Sequence, residues 1–268
     1  MNSSLNQTSE ESILHFYDWA TKSVCSFNLI TFQVDNIGNF SFDIRAPANA
    51  TYANDQKKMF GFSHYSKKLE MFDVSNSSIT DKGNMPDCNM WGILAYFKND
   101  LLYLDSEKGN KIRQNCEGEW RDFVAFPAGT NILYGASVIC MDKLYVIDTY
   151  NRTNVIYQYD ESTNKWKEVG KIDCRRYGIG VACMNNVIYV TGGYDENRQI
   201  LKSCIAFKLG SNQSNGELTT IADMNCPRWR HSLLPANGKL YAIGDDTNKI
   251  SYIEEYDPDH DKWRIIPQ

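Results

Sequence analysis

An all-β chain built from one repeated unit is the fold that the 268-residue sequence predicts, on three observations. First, CRRYGIGVACMNNVIYVTGG, from Cys174 to Gly193, reads as a β-hairpin. Ile179, Val181 and Cys183 alternate as one strand, Met184-Asn185-Asn186 turns the chain, and Val187–Val190 is a β-branched and aromatic run. Second, the hairpin recurs. Anchored on Phe60, Tyr103, Tyr145, Tyr189 and Tyr241, its copies are spaced by 43, 42, 44 and 52 residues. That period belongs to the blades of a β-propeller. Third, aromatics make up 13% of the chain, enough to fill the gaps between packed sheets, and no long helical period appears. A propeller is one closed unit, so 268 residues need not mean two domains.

A second signature follows the hairpin. VIYQYDESTNKW and IEEYDPDHDKW both run Tyr-Asp, a polar turn, then Trp, at Tyr159-Asp160 to Trp166 and Tyr256-Asp257 to Trp263. Phe72-Asp73 repeats its start and Trp120 its final aromatic. Gly192-Gly193 stops one hairpin, while the other copies keep one glycine or none. Double glycine, Tyr-Asp and a spaced Trp resemble the kelch repeat family, well over residues 50 to 268 and weakly before them. The resemblance implies a kelch-type propeller of six four-stranded blades, the first degenerate. The approximate repeats are 12–48, 49–87, 88–129, 130–173, 174–225 and 226–268, behind a flexible segment 1–11. Trp120, Trp166 and Trp263 are expected at equivalent places on outer strands.

Taken in order, residues 1–11 carry neither the basic head nor the apolar stretch of a signal peptide. In the first copy ILHFYDW reads as a worn second strand anchored on Phe16, with SFNLITFQV and NFSFDI as the third and fourth. Its opening strand is expected from residues 1–11 or from sequence beyond the C-terminus, because closed propellers hide their edges. No stretch is long and apolar enough for a membrane-spanning helix, and a net charge of −5 argues against general nucleic-acid binding.

Eight cysteines do not suggest metal, since no Cys-x-x-Cys occurs and His15, His64, His231 and His260 lack zinc spacing. Cys140 and Cys183 occupy equivalent places in different copies, which reads as separation around a ring and hence as reduced thiols. A cytoplasmic location follows from that reading. Asn-x-Ser/Thr sequons at Asn2, Asn6, Asn39, Asn49, Asn76, Asn151 and Asn212 keep a secreted origin as the alternative.

No catalytic constellation converges, no cofactor is implied, and Asp245-Asp246 and Glu254-Glu255 are neighbours whose strand side chains point apart. Binding is the better reading. In kelch propellers the loops entering first strands and those following second strands share one face. Here these loops hold Trp91, Tyr134, Tyr150, Arg152, Arg175, Arg176, Tyr177, Tyr194, Arg198, Arg228, Trp229 and Arg230, the residue types enriched at interface hot spots. Arg176 and Arg228 both fall 13 residues before their anchoring Tyr, the place of the arginine typical of kelch repeats, so an architectural role competes there. Arg230 does not recur: its counterparts are Gly178, Tyr134 and Gly92. The resemblance implies a substrate-binding kelch domain of a ubiquitin-ligase adaptor that captures an acidic peptide. Its cullin contact would lie in BTB and BACK domains not visible in this chain. A cytoskeletal, actin-binding scaffold is the alternative of the same class; a sialic acid mutarotase or copper oxidase is the enzymatic one.

Overall fold

The computed structural model describes residues 12–18, 20–44, 50–53, 56–88, 91–105, 111–116, 119–128, 130, 132, 134–149, 154–173, 175–210, 216–244 and 252–267. Every sheet is an antiparallel meander, and the six stand side by side around a channel. The first sheet has three strands, β1 (Ile13–Asp18), β2 (Ser23–Asn28) and β3 (Val34–Gly38). The second is β4 (Ala50–Ala53), β5 (Lys58–Phe62), β6 (Lys68–Asp73) and β7 (Ser78–Asn84). The third is β8 (Ile93–Phe97), β9 (Asp100–Asp105), β10 (Lys111–Cys116) and β11 (Glu119–Asp122). The fourth is β12 (Ala136–Cys140), β13 (Lys143–Ile147), β14 (Val155–Asp160) and β15 (Lys165–Lys171). The fifth is β16 (Gly180–Met184), β17 (Val187–Thr191), β18 (Cys204–Lys208) and β19 (Glu217–Ile221). The sixth is β20 (Ser232–Ala236), β21 (Lys239–Ile243), β22 (Ile253–Asp257) and β23 (Lys262–Ile266). This is the all-β propeller the repeat predicts, with a correction to its count: among the described residues five sheets are four-stranded, and the first repeat supplies three strands.

The hairpins have a local cause. Lys98-Asn99, Met141-Asp142, Asn185-Asn186 and Asn237-Gly238 each hold two consecutive positive φ angles between directly paired strand ends. Those angles define the two-residue turn whose twist matches that of the flanking strands. Asparagine and glycine adopt them at least cost.

The core is distributed over the seams between adjacent sheets. Phe62, Leu69 and Met71 pack on Leu94, Leu101 and Tyr103 across the second seam, for example, and Ile147 and Ile156 on Ile188 and Val190 across the fourth. The expected equivalence of the outer tryptophans holds. Trp120, Trp166 and Trp263 lie on β11, β15 and β23, and each reaches back to the preceding blade's exit. Trp120 Nε1 donates to the Asn84 carbonyl and Trp263 Nε1 to the Ala222 carbonyl, while Trp166 stacks on Phe126.

The first repeat departs from its expected reading. β1 adjoins both β20 and β4, so ILHFYDW is the innermost strand, not the second. NFSFDI forms no strand; Phe40 and Ile44 are buried in the seam with Val24, Met59 and Phe72. Among the described residues, side chains join the first and sixth sheets: Phe27 meets Tyr241 edge-on at 5.4 Å, within a cluster shared by the two. Residues 1–11, expected to be flexible or to supply a strand, lie outside the described residues.

A second correction concerns the cysteines. Cys140 and Cys183 are joined by a disulfide, with Cα atoms 5.4 Å apart. Equivalent positions in neighbouring blades were expected to stand apart, and outer strands do splay. Inner strands converge on the axis, so β12 and β16 lie side by side there.

Candidate functional site

The strands that enter the ring from one side bring their preceding loops together. Before β12, β16 and β20 the chain passes through a left-handed residue at the same repeat position: Tyr134 at φ 61°, Gly178 at φ 60° and Arg230 at φ 53°. Glycine takes that conformation freely, whereas a side chain there costs on the order of 1 kcal/mol. The turns are held by bonds within and between blades. Arg230 N–H donates to the Gly178 carbonyl at 2.6 Å, and the Thr149 hydroxyl donates to the Tyr134 carbonyl at 3.2 Å. Two of three equivalent places therefore carry a large side chain where glycine would be easier, and both side chains line the same cavity.

That cavity, about 650 Å³, is the mouth of the channel. Its rim is an arc of rings drawn from four sheets. Trp91 lies 4.0 Å from Tyr134, Tyr134 5.1 Å from Tyr177, Tyr177 6.4 Å from Tyr194, and Tyr194 stacks on Trp229 at 5.3 Å. The cations sit on this aromatic surface. Arg175 lies over Tyr177 at 4.9 Å; Arg230 lies over Trp229 at 4.4 Å and reaches Trp91 at 6.0 Å. No carboxylate lines the cavity among the described residues. The mouth thus combines apolar area with two oriented, half-buried guanidinium groups, and it suits an anionic ligand with an apolar part.

Of the twelve residues expected at the site, Trp91, Tyr134, Arg175, Tyr177, Tyr194, Trp229 and Arg230 converge here. Tyr150 and Arg152 lie outside the described residues. Arg198 is exposed and does not line the cavity. Arg176 and Arg228 are corrected to architectural residues, at 1% and 0% exposure. Arg176 donates to the carbonyls of Gly192 and Ser203 and pairs with Asp173; Arg228 donates to those of Gly244 and Tyr252 and pairs with Glu254. Each arginine ties the incoming loop to the following strands of its own blade. Glu254 is held by the backbone N–H groups of Asn225 and Cys226, while Glu255 pairs with Arg264, so the two neighbouring acids do face apart.

Sequence reasoning missed the channel floor. His15 Nδ1 and the Tyr52 hydroxyl are 3.1 Å apart there, on strands β1 and β4. His15 is held below its ordinary pKa, by burial first and then by the charge of Lys57. The signal is obscured because ILHFYDW reads as a second strand, one place removed from the channel. Below this waist a second cavity of about 790 Å³ opens at the hairpin turns, near Asn99, Asp142 and Pro235. Among the described residues no group of three His, Cys, Asp or Glu side chains could hold a metal ion.

His231, also lining the mouth, is fully enclosed, its Nε2 2.8 Å from the Thr191 hydroxyl. Burial, with Arg228 adding to it, depresses its pKa from 6.5 to about 3. The unfolded chain therefore binds this proton below about pH 6.5 and the folded chain only near 3. Stability is expected to fall as pH drops through that window, by about 2–3 kcal/mol at about pH 4.5. His231→Gln should lose that part of the acid sensitivity; parallel melting curves with unchanged pH slopes would refute the assignment.

The geometry agrees with known proteins. A family model described as Kelch motif matches residues 175–214. Alpha-scruin of Limulus polyphemus is 33% identical over 115 residues, covering 41% of this chain and 12% of that protein. Kelch repeat and BTB domain-containing protein 12 of Homo sapiens is 25% identical over 188 residues, covering 63% of this chain and 29% of that protein. Kelch-like protein 15 of Mus musculus is 25% identical over 145 residues, covering 46% and 24%. The matched regions thus span under a third of these relatives' lengths. The solved structure of YjhT superposes with a TM-score of 0.66 at 12% identity, over 84% of this chain and 85% of that one, a likeness of fold.

Proposed function

We propose that this chain, a kelch-repeat β-propeller, is a protein-interaction module that captures an acidic peptide segment in the mouth rimmed by Trp91, Tyr134, Tyr177, Tyr194 and Trp229. The observation that carries the reading is the cavity mouth: two guanidinium groups on a rim of five aromatic rings, with no carboxylate among the described lining residues, on a chain of net charge −5. A cationic mouth on an acidic body selects for an acidic partner, and each arginine can grip a carboxylate with two parallel hydrogen bonds. Left-handed backbone at Tyr134 and Arg230 supports selection for the side chain rather than the fold. The name of one relative couples kelch repeats to a BTB domain. On that footing the module would act as the substrate-binding part of a cullin-type ubiquitin ligase, joined to it through a segment outside these 268 residues.

The test compares two charge deletions on fluorescent peptide panels, acidic peptides against their Asn/Gln counterparts. Arg230→Ala should weaken acidic-peptide binding by about 2 kcal/mol, roughly 30-fold, with the melting temperature preserved. Lys262→Ala, which removes the same charge from an exposed outer strand, should change little. Equal losses would reduce the arginines to bulk charge and end the assignment of this face. Cosedimentation with actin filaments and no preference for acidic peptides would favour a cytoskeletal scaffold.

A further inference from the structure

We propose that Cys140–Cys183 is a redox-modifiable cross-link across the seam between the fourth and fifth blades, opened by a small dithiol entering through the far mouth of the channel, and that its state sets the mobility of the aromatic face at the opposite mouth. Four observations carry this. Cys140 is the last residue of β12 and Cys183 the last but one of β16, inner strands that belong to different sheets and share no backbone ladder. The cross-link is therefore the covalent fastening of a seam otherwise held by side-chain packing and by a hydrogen bond from the Gly216 N–H to the Val169 carbonyl. It lies where a reagent can reach one sulfur: Cys183 is partly exposed and lines the second cavity, while Cys140 is 1% exposed. The opposite ends of the same two strands are entered through Tyr134 and Tyr177, whose rings meet edge-on at 5.1 Å. Finally, the seam keeps a full apolar cluster, including Ile147, Ile156, Ile188 and Val190, so opening the bond loosens the blades without dissolving the fold.

The chemistry balances within a dithiol and this bond. A dithiol thiolate attacks Cys183 Sγ, the S–S bond breaks, and Cys140 leaves as a thiolate that takes a proton from water. The second dithiol sulfur then displaces Cys183 from the mixed disulfide. Two electrons and two protons pass to the protein, and the dithiol becomes a cyclic disulfide. Among the described cysteines, Cys25, Cys88 and Cys204 are buried, with burial raising each thiol's pKa, so they compete poorly for such exchange.

The experiment uses the full chain and dithiothreitol as the reductant. Thiols are alkylated under native conditions and located by mass spectrometry, and hydrogen exchange is followed over residues 132–139 and 175–182. Reduction should release the thiols at positions 140 and 183 and raise exchange at both entering loops by about tenfold, with reversal by a dithiol-specific oxidant. Cys183→Ser should reproduce the faster exchange; if that variant folds poorly, native reduction followed by alkylation supplies the same state. Three results would overturn the proposal: resistance to native dithiothreitol, unchanged exchange at the loops after reduction, or a chain isolated under non-reducing conditions with these two thiols free. None of these outcomes depends on peptide binding, so they separate from a failure of the proposed function.

Discussion

Arg228→Ala is expected to lower the stability of the propeller by about 3–5 kcal/mol, because it strands a carboxylate in a place with no water. Arg228 and Glu254 are both 0% exposed, with Arg228 Nε 3.2 Å from Glu254 Oε1. The same guanidinium also satisfies the carbonyls of Gly244 and Tyr252. Removing it leaves the buried carboxylate, still held by the N–H groups of Asn225 and Cys226, without its cation and two part-buried carbonyls without a donor. Arg176→Ala is the matched control. Its fork bonds two equivalent carbonyls, but its partner Asp173 is 40% exposed and can be hydrated once alone. The Arg176 substitution should therefore cost clearly less in chemical denaturation. Equal costs would mean that the shared carbonyl contacts carry the effect and that the Glu254 charge is irrelevant.

Trp166→Ala should cost about 3–5 kcal/mol as well, through the cavity left by a core aromatic. Trp166 is 8% exposed, stacks on Phe126 at 4.4 Å and meets Tyr159 at 5.5 Å. It joins the outer edge of the fourth blade to the segment leaving the third, so its loss weakens an entire seam. The flanking Lys165 and Lys167 are exposed, and changing either to Ala should be nearly neutral. A melting temperature within a degree of the parent after Trp166→Ala would show that the packing between blades does not depend on this ring.

Much of the site was legible in the chain because repetition supplies a coordinate system. Arg230, Gly178 and Tyr134 stand in register, and a non-repeating Arg on a repeating frame marked the face before any coordinates. Register set the recurring Arg176 and Arg228 apart from Arg230 but did not decide which side chains face the mouth. Arg175 and Arg176 are adjacent, yet one lies over Tyr177 in the mouth and the other is enclosed by backbone carbonyls. Successive side chains leave the backbone in different directions, and only the surrounding loops decide which direction is solvent. His15 and Tyr52 stayed hidden for a related reason: the worn first repeat lacks the glycines and spaced Trp that would have set its register.

The chain's own pattern was thus enough for the blade period, the equivalence of Trp120, Trp166 and Trp263, and the acidic balance of the molecule, which follow from composition or from position within one repeat. Tertiary structure alone decided the innermost place of β1, the five-ring arc, and the Cys140–Cys183 bond across 43 residues of sequence. Each of those depends on how closely inner strands of different blades approach the axis. That distance is set by closure of the ring, which brings distant repeats into contact and which no single repeat encodes.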